Sequence, residues 1–373
     1  MIVKNEARII RRCIAAARPL VDYALIVDTG STDTTKAEIR AALTEFALEG
    51  AIADEPWRDF AFNRSAALAM LREKSDIDYA LMIDADDRIV FSDSFDAAAF
   101  KTRLGADVVN IWTRLGGYTY KRPQLISNRK PFQFRGVLHE FLDCAVAFTQ
   151  ETTDEFHCQS LQDSARNESG DKYARDAAVL QAALENEADP FMRSRYTFYL
   201  AQSWRDYGRH RNALDAYLRR AELGHWDQEV YVSLCHAGQM AEALERDVAD
   251  CLDAYLRAFD LCPTRAEALH AAARLCRLKS RFHSGYLFAS RGIEIPKPSD
   301  GLFLADWIYR YGMKDEFSIL AYECGRYDEC LATCEELLRL PDLPESDRPR
   351  IVENANFARA ALKAAEPDSP TLR

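Results

Sequence analysis

Three seven-residue strings in the second half of the chain share one pattern: residues 208–214 read GRHRNAL, residues 238–244 read GQMAEAL and residues 325–331 read GRYDECL. In each string a glycine is followed five residues later by a small residue and then by leucine. Residues 280–286 (SRFHSGY) fit as a degenerate copy. The copies are 30, 42 and 45 residues apart, so some inter-helix turns are expected to carry insertions. From about Asp171 onward the pattern predicts one helix after another.

These strings resemble tetratricopeptide repeats (TPR), in which the glycine lets two antiparallel helices pack closely and the small residue lies where they cross. Residues 254–263 (AYLRAFDLCP) and 266–269 (AEAL) are similar to that family's second helix, its proline stop and the next first helix. A plain helical bundle is the alternative. The resemblance implies that residues 171–365 form an all-α TPR-like domain. Stacked helix pairs usually offer a concave surface, so a protein partner or a homodimer is expected there.

Length and charge limit the classes of function. At roughly 150 residues per domain, 373 residues suggest two or three domains. The 48 basic and 59 acidic side chains give a net charge of −11, which argues against a nucleic-acid partner. The sequence has no run of 18 or more uncharged apolar residues and no secretory segment, so we expect no membrane span and no Sec export.

The ten cysteines are scattered, with no C-x-x-C pair. We therefore expect reduced thiols and a cytoplasmic location. Cys324, Cys330 and Cys334 come closest to a cluster. Their spacings of six and four suit the buried face of a helix better than a zinc site.

The first half alternates short apolar runs with amphipathic stretches. Residues 24–27 (ALIV) predict a strand, and residues 34–49 predict a helix that begins after polar capping residues and stops at Gly50. A second strand is predicted at residues 51–53, a helix at 63–74 and a third strand at 79–83. Continuous apolar strands joined by helices favour a parallel sheet covered on both faces.

Two of these apolar runs end in acids: Asp28 follows the first, and Asp84, Asp86 and Asp87 follow the third. In open parallel sheets, ligands bind beyond the carboxyl ends of the strands. An Asp-x-Asp pair can bind a hard divalent ion through oxygen. The sequence therefore predicts a ligand site at this edge.

Four strings in this half, VKNE (3–6), IVDTGSTD (26–33), DFAFNR (59–64) and DADD (84–87), resemble in order and spacing the family 2 glycosyltransferases of the GT-A fold. The string RGVLHE (135–140) and the helical half are similar to bacterial members with TPR-like repeats. The resemblance implies that residues 1–160 form an α/β GT-A domain, Rossmann-like with a mostly parallel sheet. It also implies an inverting glycosyltransferase that uses Mn²⁺ or Mg²⁺ and a nucleotide-diphosphate sugar. The acceptor would be a saccharide, a lipid-linked saccharide or a peptide.

The same resemblance implies roles for individual residues. Nucleotide-sugar contacts are expected from Val3, Glu6, Asp28, Asn63, Arg64, Asp84 and Arg135, metal ligation from Asp86 and His139, and catalysis from Glu140 and His139. Which of Glu140 and His139 acts as the base stays open. The structural alternatives are a histidine bonded to a core carbonyl and a glutamate at an exposed strand end. The family usually has a few residues ahead of its first strand, whereas this chain begins at Met1, so that strand is expected to be short or clipped.

A long segment within the first half is exclusively basic: residues 108–139 contain six Lys or Arg and no acid. One interpretation is a basic wall that faces a diphosphate or an anionic acceptor. The other is a solvated β-hairpin around Gly116 and Gly117.

Two further functions compete with the glycosyltransferase. One is a repeat-based binding scaffold whose α/β half has no turnover. The other is a nucleotidyltransferase, because related sheets bind nucleotides with similar acids.

Overall fold

The computed structural model describes residues 1–116, 118–166 and 171–365. The chain divides into two compact units, Met1–Asn186 and Glu187–Arg373. The division follows the change of rhythm along the sequence, from apolar strands alternating with helices to helices alone.

In its described residues the first unit contains ten strands and five helices. The strands are β1 (Ile2–Val3), β2 (Tyr23–Asp28), β3 (Glu49–Asp54), β4 (Tyr79–Leu81), β5 (Asp87–Phe91), β6 (Val108–Leu115), β7 (Tyr118–Ser127), β8 (Gln133–Arg135), β9 (Phe141–Asp143) and β10 (Gln150–Ser160). The helices are α1 (Ile10–Ala17), α2 (Thr35–Glu45), α3 (Phe60–Arg72), α4 (Ala97–Arg103) and α5 (Lys172–Asn186).

These strands form one small parallel sheet and one larger mixed sheet. The first has three parallel strands in the order β1-β2-β3. The second has the order β4-β7-β6-β10-β5, in which β6 and β10 are parallel and the other three pairs are antiparallel. Strands β8 and β9 form a separate hairpin.

The prediction of a parallel sheet is confirmed for β1 to β3 but is wrong for the apolar run at residues 79–83. Its strand, β4, pairs antiparallel with β7. The apolar run determined that this strand is buried, but burial does not select a partner. The partner is set by the β6–β7 hairpin, which needs no crossover helix. The expected Rossmann-like, mostly parallel GT-A sheet is therefore wrong for the unit as a whole.

The end of α2 also differs from its prediction. The helix ends at Glu45, and Ala47, with φ +47°, takes the left-handed position that was assigned to Gly50. Gly50 lies in β3, where a Cβ atom would come within 2.6 Å of the Ala24 carbonyl oxygen on β2. The glycine is thus needed for close approach of two strands.

The second unit contains nine helices in its described residues. They are α6 (Pro190–Asp206), α7 (His210–Glu222), α8 (Asp227–Ala243), α9 (Val248–Leu261), α10 (Glu267–Leu278), α11 (Phe282–Ile293), α12 (Met313–Glu323), α13 (Tyr327–Leu338) and α14 (Arg348–Ala365), and a π-helical turn (Ile308–Gly312) precedes α12. Successive helices pack in sequence order, and the first helices of neighbouring pairs, α6, α8, α10 and α12, also contact one another. The helix-pair repeat predicted from the sequence is confirmed.

One backbone turn recurs at the end of every first helix. A residue with positive φ follows the helix at Gly208, Glu245, Ser280 and Gly325. The next residue is an arginine each time, and its backbone N–H donates to the carbonyl oxygen five residues earlier at 2.8 to 3.0 Å. This bond, with a left-handed residue before its donor, is the Schellman end of a helix.

These turns correct the spacing of the repeats. The four positive-φ residues are 37, 35 and 45 residues apart, and the first two intervals lie near the TPR period of about 34. The prediction was right at Gly208, Ser280 and Gly325 and wrong at Gly238, which lies inside α8. A Cβ atom at Gly238 would come within 2.5 Å of the Tyr255 ring on α9, so this glycine lets two helices pack closely.

Cys330 and Cys334 are both buried on α13, as their spacing of four predicted, but Cys324 follows the end of α12 and is only half-buried. In the described parts of the chain, no helix combines the length and the apolar character that crossing a membrane requires.

Gly238→Ala is expected to destabilise the second unit. Tyr255 is fully buried and its hydroxyl donates to Glu242, so the ring cannot easily move away from an added methyl group. We expect the free energy of unfolding to fall by about 2 kcal/mol, measured by urea denaturation. In the control, Gly208→Ala, a Cβ meets nothing within 4 Å, and the left-handed φ alone should cost about 1 kcal/mol. Equal losses would show that the Tyr255 contact is not the cause.

Candidate functional site

Two arginines in the first unit form ion pairs with Asp84, one of the predicted site residues. Arg64 on α3 lies 2.6 Å from Asp84 Oδ1, and Arg122 on β7 lies 2.8 Å from Asp84 Oδ2. Arg122 also donates to Asp87 at 3.0 Å. Burial alone would raise the pKa of Asp84, but the two guanidinium groups outweigh it and lower that pKa to about 2. The Asp84 carboxylate is thus engaged within the protein.

Glu140 joins this cluster through Arg64. Its Oε1 lies 2.8 Å from Arg64 Nε, an ion pair without hydrogen-bond alignment. Burial raises the pKa of Glu140, against the opposing effect of Arg64. Asp84, Glu140 and the two arginines therefore lie together, while the nucleotide-sugar roles expected of Arg64 and Asp84 and the catalytic role expected of Glu140 stay predictions. Arg122 was missed as an individual partner, although it belongs to the basic segment.

Asp28 contacts its own loop. Its Oδ1 accepts the backbone N–H groups of Gly30 and Ser31 at 2.9 and 2.8 Å, and Lys36 Nζ lies 3.8 Å away. Burial acts to raise the pKa of Asp28, but the bonds from Ser31 and Gly30 outweigh it and lower the pKa. Within the described residues its Oδ2 is buried without a hydrogen-bond partner. These contacts stabilise the turn after β2.

Glu6 and Asp86 form a second acidic neighbourhood. Glu6 Oε2 accepts the Ala165 N–H at 3.3 Å. Burial, with Asp86 and Asp163 nearby, raises the pKa of Glu6 to about 7. The pKa of Asp86 is raised by burial and by Asp84. Near neutral pH the Glu6 carboxyl is therefore protonated in part of the molecules.

The remaining predicted residues have structural contacts. Asn63 is fully buried; its Oδ1 accepts the Arg58 N–H at 3.0 Å and its Nδ2 donates to the Pro56 carbonyl at 3.1 Å. Val3 packs in the core beside β2. Arg135 pairs with Asp143 across the β8–β9 hairpin. The nucleotide-sugar roles assigned to all three stay predictions.

The described residues contain no ready-made cluster of metal-ligating side chains. Across residues 1–116, 118–166 and 171–365, no three His, Cys, Asp or Glu side chains are arranged to hold an ion, and hard divalent cations need several oxygen ligands. His139 has φ +52°, a left-handed conformation that costs roughly 1 kcal/mol outside glycine. Metal ligation by Asp86 and His139, and catalysis by Glu140 and His139, stay predictions.

The basic segment is compensated by acids from other parts of the sequence. Four of its six cations form ion pairs: Arg122 with Asp84 and Asp87, Arg129 with Asp78, Lys130 with Asp107, and Arg135 with Asp143. Strands β6 and β7 pair antiparallel, as the hairpin alternative predicted, although Gly117 lies outside the described residues. A count along the sequence cannot find these pairs, because the acids come from distant positions.

The second unit contains a pocket that sequence reasoning missed. Its volume is about 330 Å³ and it lies between α8 and α10. Helices α8 and α10 line it with Tyr231, Cys235, His236, Gln239, Glu267, His270 and Arg274. The turn before α10 adds Arg265, and the segment before α12 adds Phe303, Ala305, Trp307 and Ile308. That segment falls in the longest interval between repeats. The irregular spacing was therefore the available signal, because the insertion that it indicated supplies one wall of the pocket.

Glu267 organises the floor of the pocket. Its carboxylate pairs with Arg265 at 2.9 Å and accepts the hydroxyls of Tyr231 and Tyr309 at 3.2 and 2.7 Å. Burial acts to raise the pKa of Glu267, but the bonds from Arg265 and Tyr309 outweigh it and lower the pKa. A buried charge with this many donors holds α8, α10 and the inserted segment in one arrangement.

Two histidines, the buried His270 and the half-buried His236, add polar groups that are neutral at pH 7. Burial lowers the pKa of both His236 and His270 to about 4. Arg205 Nη1 lies 3.0 Å from His236 Nε2, and an arginine can only donate, so the proton is assigned to Nδ1, which donates to Gln239 at 2.8 Å. His270 meets the Trp307 ring edge to face at 4.9 Å. The pocket is therefore aromatic, and its Glu267 carboxylate and His236 ring are already hydrogen-bonded.

Comparison with known proteins points to the repeats. No family model matches the chain. A TPR repeat-containing protein from Synechococcus elongatus is 30% identical over 162 residues, which cover 40% of this chain and 36% of the relative. The chain thus matches about a third of the length of that curated relative.

Two solved structures of TPR proteins show some similarity to this chain. One from Parabacteroides merdae has 17% identity and a TM-score of 0.38, covering 52% of this chain and 68% of the other. Another from Thermus thermophilus has 16% identity and a TM-score of 0.31, covering 52% and 91%. The overlap at these scores is too small to support an argument about the fold.

The resemblance to family 2 glycosyltransferases is wrong as an identification. No model of that family matches, and the curated relative carries the name of a TPR protein. The sheets add a physical reason, because the expected mostly parallel sheet is absent among the described strands. The prediction of a glycosyltransferase enzyme, with its donor and acceptors, is corrected with it. In this chain, Asp28 of the DTGSTD string accepts hydrogen bonds from its own loop. Asp84 and Asp87 of the DADD string form ion pairs with Arg122.

Glu6→Gln should change how stability depends on pH. A carboxyl whose pKa is raised from 4.5 to about 7 on folding contributes stability below pH 4.5 that is lost as the pH rises through 7. Glutamine does not titrate, so as the pH rises from 4.5 to above 7 the variant should gain up to about 3 kcal/mol relative to the native chain. Urea denaturation at several pH values measures the difference. A constant difference across that range would contradict the raised pKa.

Arg64→Met should destabilise the first unit. Removing one partner of a buried pair leaves Asp84 and Glu140 without Arg64, at a cost of about 3 kcal/mol in unfolding free energy. Folding lowers the pKa of Asp84 from 3.8 to about 2. The part of this loss that comes from Asp84 should therefore vanish as the pH falls through that range.

Arg129→Met is the matched control for Arg64→Met. Its pair with Asp78 is well exposed, so its loss should be below about 1 kcal/mol. Equal losses of unfolding free energy for the two variants, measured by chemical denaturation at pH 7, would contradict the role of Arg64 as the partner of Asp84 and Glu140.

Proposed function

We propose that this chain is a protein-binding scaffold whose repeat unit captures a peptide segment of a partner protein. The observation that carries the proposal is the pocket of about 330 Å³ between α8 and α10. The name of the Synechococcus elongatus relative supports the same class of protein. Repeat proteins of stacked helix pairs use such surfaces for extended contacts.

The chemistry of the pocket favours an apolar anchor. Phe303 and Trp307 are 59% and 45% exposed, and large exposed aromatics beside a cavity are typical of binding sites. The charged groups at the floor are engaged by one another, and the two histidines are neutral at pH 7. An aliphatic or aromatic side chain can therefore enter without leaving a charge unpaired.

The position of the pocket favours a peptide over an isolated small molecule. The pocket is shared by two first helices, and the first helices α6, α8, α10 and α12 contact one another in a row. Residues that flank the anchor can lie along this row, and Gln239 and Arg274 at the pocket supply polar contacts for the peptide backbone.

A reducing compartment such as the cytoplasm fits this proposal. All ten cysteines, each in a described part of the chain, are free thiols. Free thiols in this number are typical of proteins kept reduced.

Phe303→Ala should weaken peptide binding. The full chain is first panned against a displayed library of random peptides, and the affinity of an enriched peptide is then measured by calorimetry. We expect a loss of about tenfold or more for Phe303→Ala, because truncating an aromatic anchor at the centre of an interface typically costs more than about 1.4 kcal/mol.

Leu287→Ala is the matched control, because Leu287 is 68% exposed on α11, a second helix, and is not part of the pocket. It should leave the affinity unchanged. Failure to enrich any peptide, or equal binding by Phe303→Ala and the native chain, would contradict the proposal. A concentration-dependent dimer that Phe303→Ala dissociates would instead assign the pocket to a second copy of this chain.

A further inference from the structure

Three cations of the first unit have no acidic partner among the described residues. Two of them, Arg114 on β6 and Lys121 on β7, are the members of the basic segment that form no ion pair. The third is Arg88 on β5. All three side chains are exposed. In a chain of net charge −11, cations that attract no acid of their own chain are open to an anion from outside.

The strand register places the two arginines on one face of the mixed sheet. Arg88 and Arg114 both pair with Gln159 of β10, which lies between them, and paired residues share a face. Their chain neighbours Ile89 and Thr113 are buried. Because side chains alternate between the two faces of a strand, the arginines point outward. Neighbouring strands are about 4.8 Å apart, so the two arginine backbones are about 10 Å apart.

The next row of the same face adds an aromatic ring and the third cation. Trp112, two residues before Arg114, pairs with Lys121 on β7. The Lys121 Nζ lies 4.8 Å from the centroid of the Trp112 ring. The indole N–H donates to Asp154 at 2.7 Å, so this acid is engaged by the ring and not by the cations.

His157 reports the positive charge of this face. It pairs with Trp112 from β10, in the row beside the two arginines. Burial lowers the pKa of His157, and the nearby Arg114 and Arg88 lower it further. The two guanidinium groups therefore act on the centre of the face as a net positive charge.

The shape of the face limits the kind of anion. Its residues line neither the pocket of the second unit nor the larger cavity beside β2, whereas small molecules bind in concave sites. A long polyanion such as a nucleic acid would also meet the acidic remainder of the chain. A short acidic segment meets neither obstacle, because salt confines its electrostatic interactions to about 10 Å.

We propose that this outer face of the mixed sheet, formed by Arg88, Arg114, Lys121 and Trp112, binds an extended acidic segment of a partner protein. An extended chain advances about 3.4 Å per residue, so acids three residues apart match the distance of about 10 Å between the two arginines. The Trp112 ring supplies an apolar contact for a side chain between these acids. The face belongs to the first unit and does not depend on the pocket proposed for the second.

The test measures binding of the full chain to the blocked peptide Glu-Val-Thr-Glu-Val-Thr-Glu by fluorescence anisotropy at low salt. The same peptide with Gln for each Glu is the charge control. We expect the acidic peptide to bind about tenfold or more tightly than the control, with an affinity that falls as salt is added.

The variant that carries both Arg88→Gln and Arg114→Gln should bind the acidic peptide about tenfold more weakly. Arg129→Gln is its matched control, because Arg129 lies in the same basic segment but pairs with Asp78, and it should leave the affinity unchanged. Phe303→Ala should also leave it unchanged, since Phe303 lines the pocket of the second unit.

Several results would overturn the proposal. One is equal binding of the acidic and Gln peptides, or no binding of either. Another is an affinity that the double variant retains, or that Arg129→Gln lowers equally. A loss with Phe303→Ala would place the peptide in the pocket of the second unit. Tighter binding of oligothymidine, lost in the double variant, would assign the face to a nucleic acid.

Discussion

One backbone hydrogen bond, repeated four times, sets the geometry of the second unit. At Arg209, Arg246, Arg281 and Arg326 the N–H reaches back five residues to a carbonyl at the end of the preceding helix. The left-handed residue before each arginine reverses the chain so that the next helix packs antiparallel. The pairing of helices, the row of first helices and the pocket between α8 and α10 all depend on this turn.

Charge compensation has the corresponding role in the first unit. Arg64 and Arg122 come from a helix and from a strand of the mixed sheet, and they meet at Asp84. Their positive charge makes an ionised carboxylate favourable at a place where burial opposes it. Asp84 and Asp87 therefore have a structural explanation. The metal role that the sequence suggested for Asp86 stays a prediction.

The two cavities reflect different departures from close packing. The pocket of the second unit exists because an insertion before α12 adds aromatic side chains to the regular stack of helix pairs. The first unit has a cavity of about 830 Å³ beside β2, along the stretch that β1 does not cover. The pocket of the second unit is lined by aromatic side chains and by a carboxylate that is already paired, which suits an apolar ligand.

Local sequence was sufficient for features that depend on neighbouring residues. The apolar run 24–27, the repeat strings at 208 and 325 and the degenerate copy at 280 each predicted an element or a turn that the structure contains. A left-handed turn or a buried strand is encoded within a few residues, so its pattern can be read from them. Glu245 escaped notice because nothing in its side chain marks a positive φ, while the glycine at 238 drew attention to the wrong position.

Tertiary structure alone decided which distant groups meet. The sequence could not pair β4 with β7, Arg122 with Asp84, or the insertion at 301–308 with α8, because an apolar run or a charge fits many partners equally well. Among the predicted site residues, Arg64, Asp84 and Glu140 were brought together, while Asp28 was committed to its own turn. Pairing across long stretches of chain depends on how whole elements pack, and that information is spread over the entire sequence.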